Sequence, residues 1–171
     1  SFFRYVALLE PAHSGIIQRI LAIPQKRCDR NLVDFLTRPE VEALLKTPDQ
    51  TTWLGRRDYA LLLVGVQTGL RVSELIGLRP EQIILGTGPH IQCRGKGRKE
   101  RCVPLTRQTV AVLKAWNTEP NSGPSEPVFR SRHGGALSRD AVERLVDKYA
   151  AGAATTCPSL NGKRVSPHVL R

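Results

Sequence analysis

The stretch YALLLVGVQTGLRVSEL, residues 59–75, decides how this chain folds. Its first eight residues are almost wholly apolar, the pattern of a helix buried on most sides. Gly69 supplies the stop, because glycine accepts the left-handed conformation that ends a helix. Beyond it, VSELIGL reads as a second helical run that turns Leu75 and Leu78 toward a core. Arg71 and Glu74, three positions apart, then share another face.

Upstream, Thr37-Arg38-Pro39-Glu40 is a helix start, with an N-cap hydroxyl, an early proline and Glu at the third position as a capping box. The helix VEALLKT follows. Residues 24–36 are polar and basic without periodicity and read as an interdomain linker. Residues 1–23 hold two short apolar runs broken by Glu-Pro-Ala-His-Ser-Gly, and look like the end of something larger. Downstream of Gln82, QIIL, HIQCR and ERCVPL alternate with glycine-rich turns, the signature of a small antiparallel sheet. A helix is expected over Arg107 to Trp116, a surface loop over NTEPNSGPSEP, and a helix capped by Ser138 and running to about Tyr149. Ser166-Pro167 starts a last helix, with His168 and Arg171 on one face; the sequence ends one turn into it.

The chain has 171 residues, enough for one domain plus a fragment. Its 26 Lys+Arg against 15 Asp+Glu give a net charge of +11, which favours a polyanionic partner, nucleic acid being the commonest. Cys28, Cys93, Cys102 and Cys157 include no Cys-x-x-Cys and no zinc-like spacing to a histidine, so no metal is expected. Cys93 and Cys102 flank a hairpin and could face each other across it, although buried thiols are the better reading for a reducing compartment. No apolar run has the length of a membrane span and the N-terminus lacks a signal-peptide pattern; a soluble cytoplasmic protein is expected.

Three motifs carry chemistry: TGLRVSEL (68–75), GKGRKERCVPL (95–105) and SPHVLR (166–171). Singly each is bland, since Arg71 with Glu74 suits an ordinary surface ion pair and Lys96 a solvated turn. Together they provide two arginines, a lysine and a histidine. Phosphoryl transfer needs donors for the non-bridging oxygens, a proton for the leaving oxygen, and a group that orients the attacker. Arginine's planar fork suits a phosphate, whereas lysine can surrender a proton. Arg71, His168 and Arg171 also fall near expected helix N-termini, where backbone N–H groups favour an anion.

In the order of these motifs the sequence resembles the tyrosine recombinases, or phage-type integrases, from about residue 36 onward. VFRSRHGGALSRDAV (128–142) also resembles the family's intervening loop and helix. The resemblance implies a mostly helical α+β catalytic domain over 37–171 with a three-stranded antiparallel sheet, and makes 1–23 a remnant of a preceding DNA-clamping domain. It implies Arg71, Lys96, His168 and Arg171 as catalytic, with Glu74 bracing Arg71, and no cofactor. The implied reaction is site-specific DNA recombination through a 3′-phosphotyrosyl intermediate. Members act as tetramers on two double-stranded DNA sites; this piece is expected to be a monomer. Five of the eight residues 94–101 are basic, and Arg94, Arg98, Lys99 and Arg101 are expected on the DNA backbone.

In the family the nucleophilic tyrosine follows the second arginine, whereas Tyr5, Tyr59 and Tyr149 all precede Arg171. The three read as core or interface residues, so the 171 residues are expected to bind DNA without cutting it. His90, on a strand edge, and His133, in a loop, match no catalytic position. Alternatives are a non-catalytic DNA-binding regulator derived from a recombinase, and a type IB topoisomerase-like enzyme.

Overall fold

The computed structural model describes residues 2–24, 35–94, 100–119, 126–167 and 170, Arg94 through its backbone only. Two compact units divide the chain, Ser1–Leu32 and Val33–Arg171. The smaller holds α1 (Phe2–Leu9) and α2 (Ser14–Leu21), separated by a 3-10 turn at Pro11–His13. Proline brings no N–H to a continuing helix, so the break falls at Pro11.

The larger unit contains α3 (Arg38–Lys46), α4 (Trp53–Thr68), α5 (Val72–Ile76), β1 (Ile83–Ile84), β2 (His90–Arg94), β3 (Glu100–Pro104), α6 (Arg107–Asn117) and α7 (Arg139–Ala154). The sheet runs β1-β2-β3, antiparallel throughout, with Ile83 opposite Ile91 and Ile91 opposite Val103. This is the mostly helical α+β arrangement expected from the sequence. Among the described residues no helix is long and apolar enough to cross a membrane.

Helix α4 is the centre of the core, with Ala60 to Val64 each 5% exposed or less. Burial on several sides suits its nearly continuous apolar run, where a half-exposed helix would show a stripe. It begins a turn and a half before the apolar run, because the Thr52 hydroxyl accepts the Gly55 N–H at 3.0 Å. It ends where expected, at Gly69 with φ +60°. Near its start, buried Asp58 receives Arg57 Nε at 2.8 Å and the Tyr149 hydroxyl at 2.8 Å. Arg57 also donates to the Arg130 carbonyl at 2.8 Å and lies over the Trp53 ring. A buried charge pair is tolerable when its remaining hydrogen-bonding positions are filled, which the tyrosine and the carbonyl accomplish.

Helix α7 runs five residues past Tyr149, the point where the sequence suggested an end. Its continuation Ala-Ala-Gly-Ala-Ala is mostly the best helix former, and the glycine serves close packing. A Cβ at Gly152 would stand 2.6 Å from Thr47 Cγ2, so α3 and α7 approach there only because none is present.

Glu40 ties α3 to the segment that follows α7. Its carboxylate, 1% exposed, accepts the Thr37 N–H at 2.8 Å, the Ser159 hydroxyl at 2.6 Å and Lys163 Nζ at 2.9 Å. Lys163 donates as well to the Phe35 carbonyl at 3.2 Å. The capping pattern at Thr37 announced the first of these bonds. The others come from a 3-10 turn at Pro158–Leu160 and the irregular segment behind it, neither of which the sequence suggested. Hydrogen bonds from Ser159 and Lys163 hold the Glu40 carboxyl down to about 2 against the opposing effect of burial.

Two tests follow from this packing. Glu40→Gln keeps the shape but removes the charge, and should cost about 1–3 kcal/mol in urea denaturation at pH 7. Because the folded value lies below the ordinary 4.5, wild-type stability from this group is complete above 4.5 and fades as pH falls toward 2. The variant should lack that component of acid sensitivity, so the stability gap must narrow below pH 4.5. Gly152→Ala should gain about 1 kcal/mol of helix propensity yet lose about 1–3 to overpacking, for a net loss. Adding Thr47→Ser removes the obstructing methyl and should restore stability; equal stability of single and double variants would contradict the contact.

Candidate active site

Arg71 is presented by a short run of local constraints. Thr68 closes α4 by donating its hydroxyl to the Val64 carbonyl, and Gly69 reverses the chain. Leu70, 4% exposed, then pins the connection to the core. Arg71 follows in an extended conformation (φ −66°, ψ 151°) as the N-cap of α5. Leu75 and Leu78, 4% and 1% exposed, anchor the other side of this turn as the apolar spacing predicted.

Glu74 holds Arg71 twice. Its Oε2 accepts the Arg71 backbone N–H at 2.8 Å, and its Oε1 accepts Arg71 Nη1 at 3.1 Å. The side chain of Arg71 is nonetheless 49% exposed while that of Glu74 is 13% exposed, so the carboxylate braces the arginine from the protein side. The carboxylate also fills the place of the anion foreseen at this helix start: α5 has five residues, and the N–H at its cap is already taken by Glu74.

A second arginine reaches the same carboxylate. Arg101 Nη2 donates to Glu74 Oε2 at 2.9 Å from β3. Burial pushes the Glu74 carboxyl up, but the Arg71 N–H, the Arg101 charge and the Arg71 guanidinium together outweigh it and leave the group below its ordinary value. The sequence placed Arg101 with Arg94, Arg98 and Lys99 on the DNA backbone; in the structure its guanidinium donates to Glu74. Strand alternation carried the missing signal, since Arg101 and Val103 are the two half-buried positions of β3 between exposed Glu100, Cys102 and Pro104.

The register corrects the cysteine expectation. Cys93 lies opposite Arg101 and Cys102 opposite Gln92, so the two cysteines project to opposite faces. Cys93 is buried and Cys102 exposed, and both are free thiols. Burial pushes the Cys93 thiol up, so behind the arginines it acts as a small apolar group. His90 begins the central strand rather than an edge and bonds the Gly88 carbonyl at 2.7 Å. His133 is an exposed loop residue.

Of the tyrosines, Tyr149 is 5% exposed and donates to Asp58, and burial with that bond pushes its hydroxyl far up. Tyr59 is half-buried, with its hydroxyl 3.3 Å from Gln108 Nε2. Tyr5 is 63% exposed on α1 and is not a core residue of its unit. Lys96, Arg98, Lys99, His168, Arg171 and Cys28, together with the side chain of Arg94, lie outside the described residues. Among the described residues no cluster of His, Cys, Asp and Glu could hold a metal ion.

The Phage integrase family profile matches residues 34–171. A putative integrase/recombinase, y4rC of Sinorhizobium fredii, is 54% identical over the whole chain, which covers 52% of that relative. Tyrosine recombinase XerD of Pseudomonas putida is 33% identical over 99% of the chain and 55% of its own length. The chain thus spans about half the length of these curated relatives. Two solved structures share the fold. One is the XerH site-specific recombinase bound to difH substrate, at TM-score 0.66 and 24% identity over 85% of this chain and 43% of that one. The other is the Tn1549 transposon integrase with circular intermediate DNA, at TM-score 0.66 and 17% identity over 95% of this chain and 60% of that one. An arginine braced by a carboxylate at the break after a core helix, in a chain matched by this profile from residue 34 onward, belongs to the phage integrase family of tyrosine recombinases.

Proposed function

We propose that this chain is the catalytic core of an enzyme that cuts and rejoins double-stranded DNA at specific sites, and that the braced, outward-facing Arg71 is its first phosphate-holding group. One observation carries the reading: Glu74 fixes both the backbone and the guanidinium of Arg71 while leaving the side chain half exposed. An arginine fixed before its ligand arrives has little reorganisation left at the moment of reaction, which is how positioned donors lower a barrier.

In this reading Arg71 and Arg171 grip the non-bridging oxygens, His168 bonds the phosphate or assists proton movement, and Lys96 is the general acid. A tyrosine gives its hydroxyl proton to His168 as its oxygen bonds to phosphorus, the bond from phosphorus to the 5′ oxygen breaks, and that oxygen takes a proton from Lys96. A 5′ hydroxyl of the partner strand reverses the step, so neither a nucleotide nor a metal is consumed. The three tyrosines present are employed otherwise or lie in the smaller unit, so the attacking tyrosine is one outside these 171 residues, which alone bind DNA without cutting it. Residues 1–23 are the end of a DNA-clamping domain, 24–36 a linker and 37–171 part of the catalytic domain. The whole protein works as a tetramer on two sites, within the cytoplasm at the nucleoid. The net charge of +11 and the DNA-bound state of the XerH and Tn1549 structures support a DNA partner.

The protein from the complete reading frame, incubated with nicked DNA carrying its candidate site, should give a covalent adduct that survives denaturant. Arg71→Ala should slow its formation by about 10²–10³-fold, the usual loss for one charge-stabilising donor. Tight DNA binding with no adduct from the wild-type protein would overturn the reading in favour of a non-catalytic regulator.

A further inference from the structure

We propose that Arg101 is a positioning residue for Arg71, acting through Glu74, rather than a contact to DNA. The inference rests on the recombinase reading for its consequence, and on the geometry of one carboxylate for its substance. Glu74 Oε2 accepts two bonds, from the Arg71 N–H at 2.8 Å and from Arg101 Nη2 at 2.9 Å, which leaves Oε1 for the single bond from Arg71 Nη1 at 3.1 Å.

Charge explains why a second arginine belongs there. An arginine closed onto a carboxylate is a neutral pair with little attraction for a phosphate. Two arginines around one carboxylate restore a net positive charge, and Glu74 is shielded enough, at 13% exposure, for the difference to be felt. Geometry explains it too. Arginine and carboxylate close readily into a two-point fork. With Oε2 engaged by Arg101, Glu74 meets the Arg71 guanidinium through Nη1, and the rest of that fork is outside the contact.

Placement in the sheet favours this role over a backbone contact. Arg101 shares its strand face with half-buried Val103, sits opposite buried Cys93, and is itself 38% exposed. It also links β3 directly to the turn that carries Arg71, across 27 residues of sequence. Along the chain it stands just after GKGRK, residues 95–99, which contain Lys96.

The test compares the complete protein with R101M, R101K, E74Q and the R101M/E74Q double variant on nicked site DNA. At saturating DNA, R101M should slow adduct formation about tenfold or more, with a loss of affinity smaller than the loss of rate and the salt slope of binding unchanged, and R101K should recover part of the rate. The double variant should be no slower than E74Q, because the two residues act through one contact. Weaker binding with a salt slope smaller by about one and an unchanged rate at saturation would make Arg101 a DNA contact and overturn the proposal. So would rate losses that multiply in the double variant. A second measurement needs no cleavage: the Glu74 carboxyl titration, followed by 13C NMR in the 171-residue chain, should move up in R101M. An unmoved titration overturns the Arg101 assignment, whereas a moved titration in a protein that forms no adduct removes the recombinase reading alone.

Discussion

The larger unit depends on one carboxylate that ought not to be buried. Glu40 is 1% exposed, and an unpaired charge at such depth would cost several kcal/mol. It is kept there by donors from three places: the cap of its own helix, Ser159, and Lys163, which is 123 residues away in sequence. The bond therefore ties the first helix of the unit to the segment that follows its last one. Lys163 stands five residues before His168, so in the proposed enzyme the clamp lies at the root of the segment that supplies His168 and Arg171. Close packing at Gly152 brings α7 against the end of α3, and the core forms around α4.

Glu74 uses the same chemistry for a different end. Glu40 is satisfied and closed to solvent, with one lysine for its one charge. Glu74 is met by two arginines, both more exposed than itself, so the local balance is positive on the outer side. A closed pair stabilises a fold; an overcompensated one offers charge to a visitor. Arg57 and Asp58 belong to the first kind, since their pair is finished by Tyr149 and a backbone carbonyl.

Features governed by neighbours in sequence were legible beforehand. The cap at Thr37, the stop at Gly69, the inward Leu75 and Leu78, and the three strands all follow from local spacing. Glu74 could be assigned to Arg71 because three positions on a helix bring side chains together. What failed required register or distance. Flanking a hairpin left open whether Cys93 and Cys102 face each other, and the actual pairing is one residue away; in a sheet, a slip of one exchanges the faces of every side chain. Register also brings Arg101, one basic residue among five in the sequence, beside Glu74. Lys163 and Ser159 carried no signal at all, since their partner is Glu40 at the other end of the unit.

In the proposed reaction residues 34–171 hold a phosphate for an attacking tyrosine, and the identity of that tyrosine decides the reading. The direct measurement is mass-spectrometric mapping of the peptide left attached to the 3′ end of cleaved site DNA, after reaction of the complete protein in the presence of a chelator. A phosphotyrosyl linkage at a tyrosine outside the 171 residues, formed equally well without divalent metal, is the expected result. Attachment at Tyr5, Tyr59 or Tyr149, or cleavage that stops when metal is withdrawn, would contradict it.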